Sequence, residues 1–263
     1  MSSWREQALQ VLLQPDADAK AAQARAIDLD AGPSGAELAL AEPAGVALPG
    51  RPARPLLVAQ SGLSQRSVGS PAGRAALIHA LAHIELNAID LAVDIVWRFA
   101  GLPELFYRQW LGVAREEALH FQLLRDHLRD LGHAYGDFPA HNALWEMAHR
   151  TRHDLLARLA LVPRTLEARG LDAAPPIKAK LVGAGDLRAG EILDIILRDE
   201  IGHVAVGNQW YRRLCAERGL DPHATYAELA VRHAAPRLRG PFNLDARRLA
   251  GFDEHELVDL GAG

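Results

Sequence analysis

The chain has 263 residues, 49% of them apolar and 24% charged, enough for one large or two small globular domains with a sizeable core. Lys plus Arg number 29 against 33 Asp plus Glu, and the formal charge of -4 excludes a global cationic footprint for nucleic acid or an acidic membrane. A single cysteine, Cys215, excludes an internal disulfide, a cysteine-rich zinc site and a four-cysteine iron site, and reads as a chain of a reducing compartment, the cytoplasm. Met1-Ser2-Ser3-Trp4-Arg5-Glu6 lacks the charged-then-apolar run of a secretory signal. The most apolar window, Ala75–Trp97, is interrupted by His79, His83, Glu85, Asp90 and Asp94, so no membrane span is expected.

Ser3–Leu13 and Ala17–Leu29 each have the length and spacing of a short helix. Between Gly32 and Gly73 proline and glycine recur too often for long helices, and Leu48-Pro49-Gly50-Arg51-Pro52-Ala53-Arg54-Pro55 should run extended. After Gly73 the pattern changes. Over Arg74–Phe99, Glu104–Leu131, Ala143–Ala168 and Asp186–Glu217 apolar residues recur at steps of three and four, over lengths that suit helices. Gly101 and Pro103 separate the first two, Gly132 and Gly136 close the second, Gly170 closes the third, and Asp186 is placed to cap the fourth. Beyond Asp221 come a helix near Thr225–His233, an irregular stretch Pro236–Phe242, and Asp253-Glu254-His255-Glu256, which has the form of a capping box. No hairpin signal competes, so the expected class is all-α: a four-helix bundle over residues 74–220, an irregular extension over 1–73 that wraps it, and a helical tail over 221–263 placed as a lid.

At about 100° per residue, the first long helix puts His79, His83, Asn87, Asp90 and Asp94 on one side. Ile78, Ala82, Ile89, Ala92, Val93 and Val96 fall on the other, with Glu85 inside that apolar arc. A lone ionised carboxylate there is costly and needs a partner. Glu117 shares its face with Phe106, Trp110, Val113, Phe121 and Leu124, with His120 one turn along. Glu200 lies among Leu193, Ile196, Leu197 and Val204, with His203 again at the third position after it, and Glu167 lines up with Leu156, Ala160 and Pro163. Glu85 to Glu117 spans 32 residues (117 − 85) and Glu167 to Glu200 spans 33 (200 − 167). The chain thus reads as two similar helix pairs, each supplying Glu and then Glu-x-x-His, and a four-helix bundle lets these six side chains meet. Four carboxylates offset two divalent cations and leave the imidazoles as neutral donors, so six ligands fit a two-metal site. Pro163 must distort the turn before Glu167.

Glu85, Glu117-Ala118-Leu119-His120, Glu167 and Glu200-Ile201-Gly202-His203 resemble the ligand set of the ferritin-like superfamily of di-metal carboxylate proteins, over about Arg74–Glu217. More narrowly, Pro49-Gly50-Arg51-Pro52, Ala82-His83-Ile84-Glu85-Leu86, Asp199-Glu200-Ile201-Gly202-His203-Val204 and Gly240-Pro241-Phe242-Asn243 look like a bacterial ferritin-like family catalogued as a domain of unknown function. Its bundle in turn resembles that of the tRNA-modifying di-iron hydroxylase, an analogy of fold alone. The resemblance implies two iron ions, with manganese or a mixed pair as alternatives, and oxidase or monooxygenase chemistry on dioxygen or peroxide with an electron donor and an unidentified substrate. It supplies Glu85, Glu117, Glu167 and Glu200 as carboxylate ligands and His120 and His203 as nitrogen donors.

Around these ligands, Asp199, Asp194 and Asn87 are candidates to orient an imidazole, Tyr211 reads as core packing, and His79 and His83 read as surface or interface residues. His149 and His153 are too far along the helix to join the site. The cationic run containing Arg237, Arg239 and Asn243 is the one feature that favours an anionic or RNA-borne substrate. Two other functions stay open: an iron-storage or peroxide-scavenging protein, and a metal-free helical interaction protein. No membrane partner is expected, and a homodimer is compatible with the pattern.

Overall fold

A computed structural model describes residues 3–30, 32, 40–59 and 67–262 of the chain. The proline- and glycine-rich stretch expected to lack long helices therefore lies partly outside the described residues, at 33–39 and 60–66. Among the described residues the fold is all-helical; its only bridge pairs Leu57 with Ala140, where Val58 N–H donates to Ala140 O at 2.8 Å and Ala140 N–H to Leu56 O at 3.0 Å. The chain divides into two compact units, Met1–Trp145 and Glu146–Gly263, each with two of the long helical stretches that a four-helix bundle core requires.

The first unit begins with α1 (Trp4–Leu13) and α2 (Ala17–Arg25). A reciprocal capping box starts α1: Glu6 N–H donates to Ser3 Oγ, and Ser3 N–H to Glu6 Oε2 at 2.7 Å. Its two long helices are α3 (Pro71–Arg98) and α4 (Glu104–Asp130), antiparallel because a five-residue link, 99–103, joins helices that pack along their lengths. The α3 start falls earlier than the apolar rhythm predicts, since Ser70 caps it and Pro71 suits its first turn. At the other end, buried Arg5 donates to Val96 O and Trp97 O, which the last turn leaves without helical donors.

By length and composition α3 is apolar enough to cross a membrane, one 18-residue window of it reaching a mean hydropathy of 1.4, against the expectation that its polar residues would interrupt the apolar run. Yet 72% of that window is buried within the protein. The expectation that His79 and His83 are surface or interface residues is also corrected: both are buried within the chain, as are Asn87, Asp90 and Asp94. The polar side of α3 is covered by protein groups that satisfy most of it, with His79 Nδ1 left without a hydrogen-bond partner. Lys20 of α2 pairs with Asp90 and donates to Gly50 O; Arg51 donates to Asn87 Oδ1 and Asn142 Oδ1; Gly136 N–H donates to His79 Nε2; Arg98 donates to Asp94. A Cβ on Gly50 would collide with the carbonyl of Leu13, so only glycine lets this loop close under α1.

The second unit departs further from the expected single helix over 143–168. α5 (Ala143–Arg150) stops where Thr151 Oγ1 donates to Met147 O, and α6 (Leu155–Leu161) restarts on Asp154, which accepts from Leu156 and Ala157 N–H. A π-helical turn, Val162–Glu167, then leads into α7 (Ala168–Gly183). Gly170 does not close the helix: its backbone stays outside the left-handed region, and α7 continues even through Pro175 and Pro176. Pro175 deprives Leu171 O of its helical donor, and the side-chain amide of Asn243 supplies one at 3.2 Å. α8 (Leu187–Glu217) starts at the predicted cap, with Asp186 Oδ1 accepting from Ala189 N–H. α9 (Pro222–Arg232), α10 (Leu244–Leu249) and α11 (Glu254–Ala262) complete the unit, the last opened by the predicted reciprocal box between Asp253 and Glu256.

Candidate metal centre

In the first unit two long helices bring three predicted ligands together. One ligand atom from each of Glu85, Glu117 and His120 lies within 4.8 Å of the others, and all three residues are buried. His120 Nδ1 stands 3.3 Å from Glu85 Oε2 and 3.4 Å from Glu117 Oε2. Glu85 reaches the space from the arc of α3 that carries Ile78, Ala82, Ile89 and Val96; Glu117 and His120 share one stripe of α4 with Phe106, Trp110, Phe121 and Leu124, all buried.

Electrostatics follow from that burial. Desolvation and the neighbouring Glu117 charge push the Glu85 carboxyl up to about 7, against the pull of His120. Desolvation alone would lower the His120 imidazole, but its hydrogen bonds and charge contacts with Glu117 and Glu85 raise it to about 11. Protons therefore occupy a space whose donors are two carboxylates and an imidazole, a set that suits iron, manganese or zinc. Replacing those protons by a cation satisfies the same oxygens and nitrogen, so the donor chemistry fits a metal.

In the second unit, Glu200 and His203 lie one turn apart on α8, with His203 Nδ1 3.5 Å from Glu200 Oε1. Both are buried, and Glu200 Oε2 has no hydrogen-bond partner, a costly state that a cation would relieve. Glu167 closes the π turn and is half-buried. These three residues do not form a three-ligand group within the unit.

Residues 13–258 match a family described as protein of unknown function (DUF455). The chain belongs to that family. A Haemophilus influenzae protein, described as uncharacterized, is 51% identical over 213 residues, which is 78% of this chain and 74% of that one. No solved structure matches. The DUF455 name carries no activity, so chemistry has to be read from the side chains.

Of the remaining residues singled out in this DUF455 chain, Tyr211 is core packing as expected, its hydroxyl donating to Pro222 O at 2.7 Å. Asn87 does not orient a ligand imidazole; its amide donates to His83 O, on the side of α3 away from Glu85. Asp194 accepts from Lys178, and Asp199 from Arg198. His149 and His153 are exposed. Arg237 and Arg239 are exposed, whereas Asn243 caps α10 and holds Leu171 O.

Sequence reasoning missed a second close group, His223, Asp253 and Glu256. Arg212 donates to Asp253 at 3.2 Å and to Glu256 at 2.7 Å, and Arg164 pairs with Glu256. Two guanidinium groups neutralise those carboxylates, which makes this cluster an ion-pair network and not a cation site. No helical periodicity announces it, because His223 lies at the start of α9 whereas Asp253 and Glu256 form the box that opens α11.

Proposed function

We propose that the protein is a ferritin-like di-iron carboxylate oxidase or monooxygenase, acting in the cytoplasm on dioxygen or peroxide and an unidentified, small or RNA-borne substrate. One observation carries the reading: Glu85, Glu117 and His120 converge in a buried space where their charges cannot be balanced without protons or a cation. The repeated pattern proposes Glu167, Glu200 and His203 as the ligands of the second helix pair, and the unsatisfied Glu200 Oε2 supports this.

Bound iron would supply the electrons that reduce oxygen. The chain's own residues do the rest. α3 and α4 fix the directions of Glu85, Glu117 and His120, so the ligands are preorganised by helix packing. Loading a cation expels the proton that Glu85 holds near neutrality and the one held on His120, so affinity rises with pH. Phe121, buried one turn beyond Glu117, helps to keep bulk water from the α4 side. An anionic substrate would meet the exposed cations Arg237 and Arg239.

The test is metal analysis of the full chain expressed with iron, then stripped by chelator and reloaded. About two irons per chain are expected from the six-ligand count, with stoichiometric oxygen uptake and no ferric mineral; a mineral core would favour storage instead. Glu85→Ala combined with Glu117→Ala should lose most of the bound iron. Wild-type protein that retains neither iron nor manganese overturns the reading and leaves the metal-free interaction protein.

A further inference from the structure

The π-helical turn is an unfavoured conformation that persists only where the surroundings hold it. Pro163, without an N–H, cannot close an α-helical bond to Leu159 O, and Thr165 Oγ1 donates instead to Ala160 O at 2.8 Å. Pro163 also seats against Gly207 of α8, where a Cβ would stand 2.7 Å from the Pro163 Cβ. Taking one residue out of the turn to restore an α-helix would rotate α7 by about 100° relative to α6. The direction of Glu167, the last residue of the turn, depends on its integrity.

C-terminal residues grip the chain on both sides of that glutamate. On one side Arg164, 4% exposed, lies over the rings of Tyr211, Tyr226 and Phe252 at 4.9, 5.2 and 5.1 Å. Its guanidinium donates to Asn208 Oδ1 at 2.8 Å and pairs with Glu256 of α11, and Asn208 in turn donates to Ala250 O. On the other side Arg247 of α10, fully buried, donates to Ala168 O at 3.3 Å and forks onto Asp172 at 2.6 and 3.0 Å. Asn243 holds Leu171 O. Two buried guanidinium groups are a costly way to glue helices that apolar side chains could pack, and what they add is direction.

We propose that Asn243–Glu256 is a brace that fixes the π turn and sets the direction of Glu167, with Arg164 and Arg247 as positioning residues for that ligand; this rests on the metal-binding reading above. The tail expected to act as a lid is, on this inference, a structural part of the metal centre.

The experiment is a cobalt(II) titration of the chelator-stripped full chain, read by visible absorption and by bound cobalt, with backbone hydrogen exchange of residues 162–169. Arg164→Lys and Glu256→Gln should each weaken one of two cobalt ions by tenfold or more, change its spectrum, and speed exchange in the turn. Glu256→Asp, which keeps the charge, should recover part of the lost affinity. Arg248→Ala, which removes only exposed tail ion pairs with Asp245 and Glu254, should match wild type. Should Glu256→Gln fail to fold, Arg164→Lys and Glu256→Asp carry the same comparison. Wild-type affinity and spectrum in Arg164→Lys and Glu256→Gln, with or without faster exchange, would sink the brace alone. A wild-type chain that takes up no cobalt removes the metal-binding reading and the brace together.

Discussion

Glu85 sits on an uninterrupted 28-residue helix, thirteen residues before its end (98 − 85), whereas Glu167 closes a π turn and stands sixteen residues before the end of α7 (183 − 167). Their partners are placed alike: Glu117 and Glu200 are each thirteen residues into α4 and α8 (117 − 104, 200 − 187). A longer run and a three-residue link in the second unit thus give nearly the glutamate-to-glutamate spacing that a shorter run and a five-residue link give in the first. The difference lies in support. The back of α3 is held by α2 through Lys20 and Asp90, and the start of α7 by the tail through Arg247 and Asp172. Spacing places a carboxylate on a helix; an ion-paired segment from elsewhere in the chain decides how firmly that helix is held.

Removing one partner of the first support should have the larger effect. Asp90→Ala leaves a buried ammonium with only Gly50 O, and should destabilise the first unit by about 3–5 kcal/mol, read as a lower urea midpoint. An unchanged midpoint would mean that α2 contributes nothing to holding α3. In the second unit Gly207→Ala pushes a methyl group into Pro163 and should cost about 1–3 kcal/mol, with faster hydrogen exchange confined to the π turn and α8. Equal loss of protection in α3 would remove the contrast between the two supports.

The smallest effect is a pH dependence special to the first unit. Burial lowers the His79 imidazole to about 4 and that of His83 to about 3, from 6.5 when unfolded. The unfolded chain therefore binds more protons there than the folded one below 6.5, and stability falls as pH drops from about 6.5 toward 4. Glu85, raised to about 7, works in the opposite sense between 4.5 and 7, so one carboxyl partly offsets two imidazoles. Thermal melts of chelator-treated protein should show the decline, and His79→Gln, which can still accept from Gly136 N–H, should flatten it by one proton. A slope unchanged in His79→Gln would show that His79 takes up its proton over the same pH range folded and unfolded, so that its burial contributes nothing to the decline.

Much of the site was legible because its signals are local. A carboxylate in an apolar arc can be seen one helix at a time, and Asp186 and the Asp253–Glu256 box mark helix starts through bonds within four residues. The regular stripe of His79, His83, Asn87, Asp90 and Asp94 misled for the same reason: on one helix it reads as a solvated face, and only Lys20, Arg51, Tyr135 and Gly136 from distant segments turn it into core. Gly170 likewise reads as a stop, because the groups that hold the backbone around it, Asn243 on Leu171 O and Arg247 on Ala168 O, lie more than seventy residues on.

By itself the sequence determined the helical class, the extents of α4 and α8 and the residues with ligand chemistry, since these depend on periodicity, caps and side-chain type within a few turns. Tertiary structure alone decided that both sides of α3 are buried, that the third long helix is broken by a π turn, and that the tail is bound to the segment carrying Glu167. Those outcomes rest on hydrogen bonds and ion pairs between residues far apart in the chain, whose free energy no local pattern records.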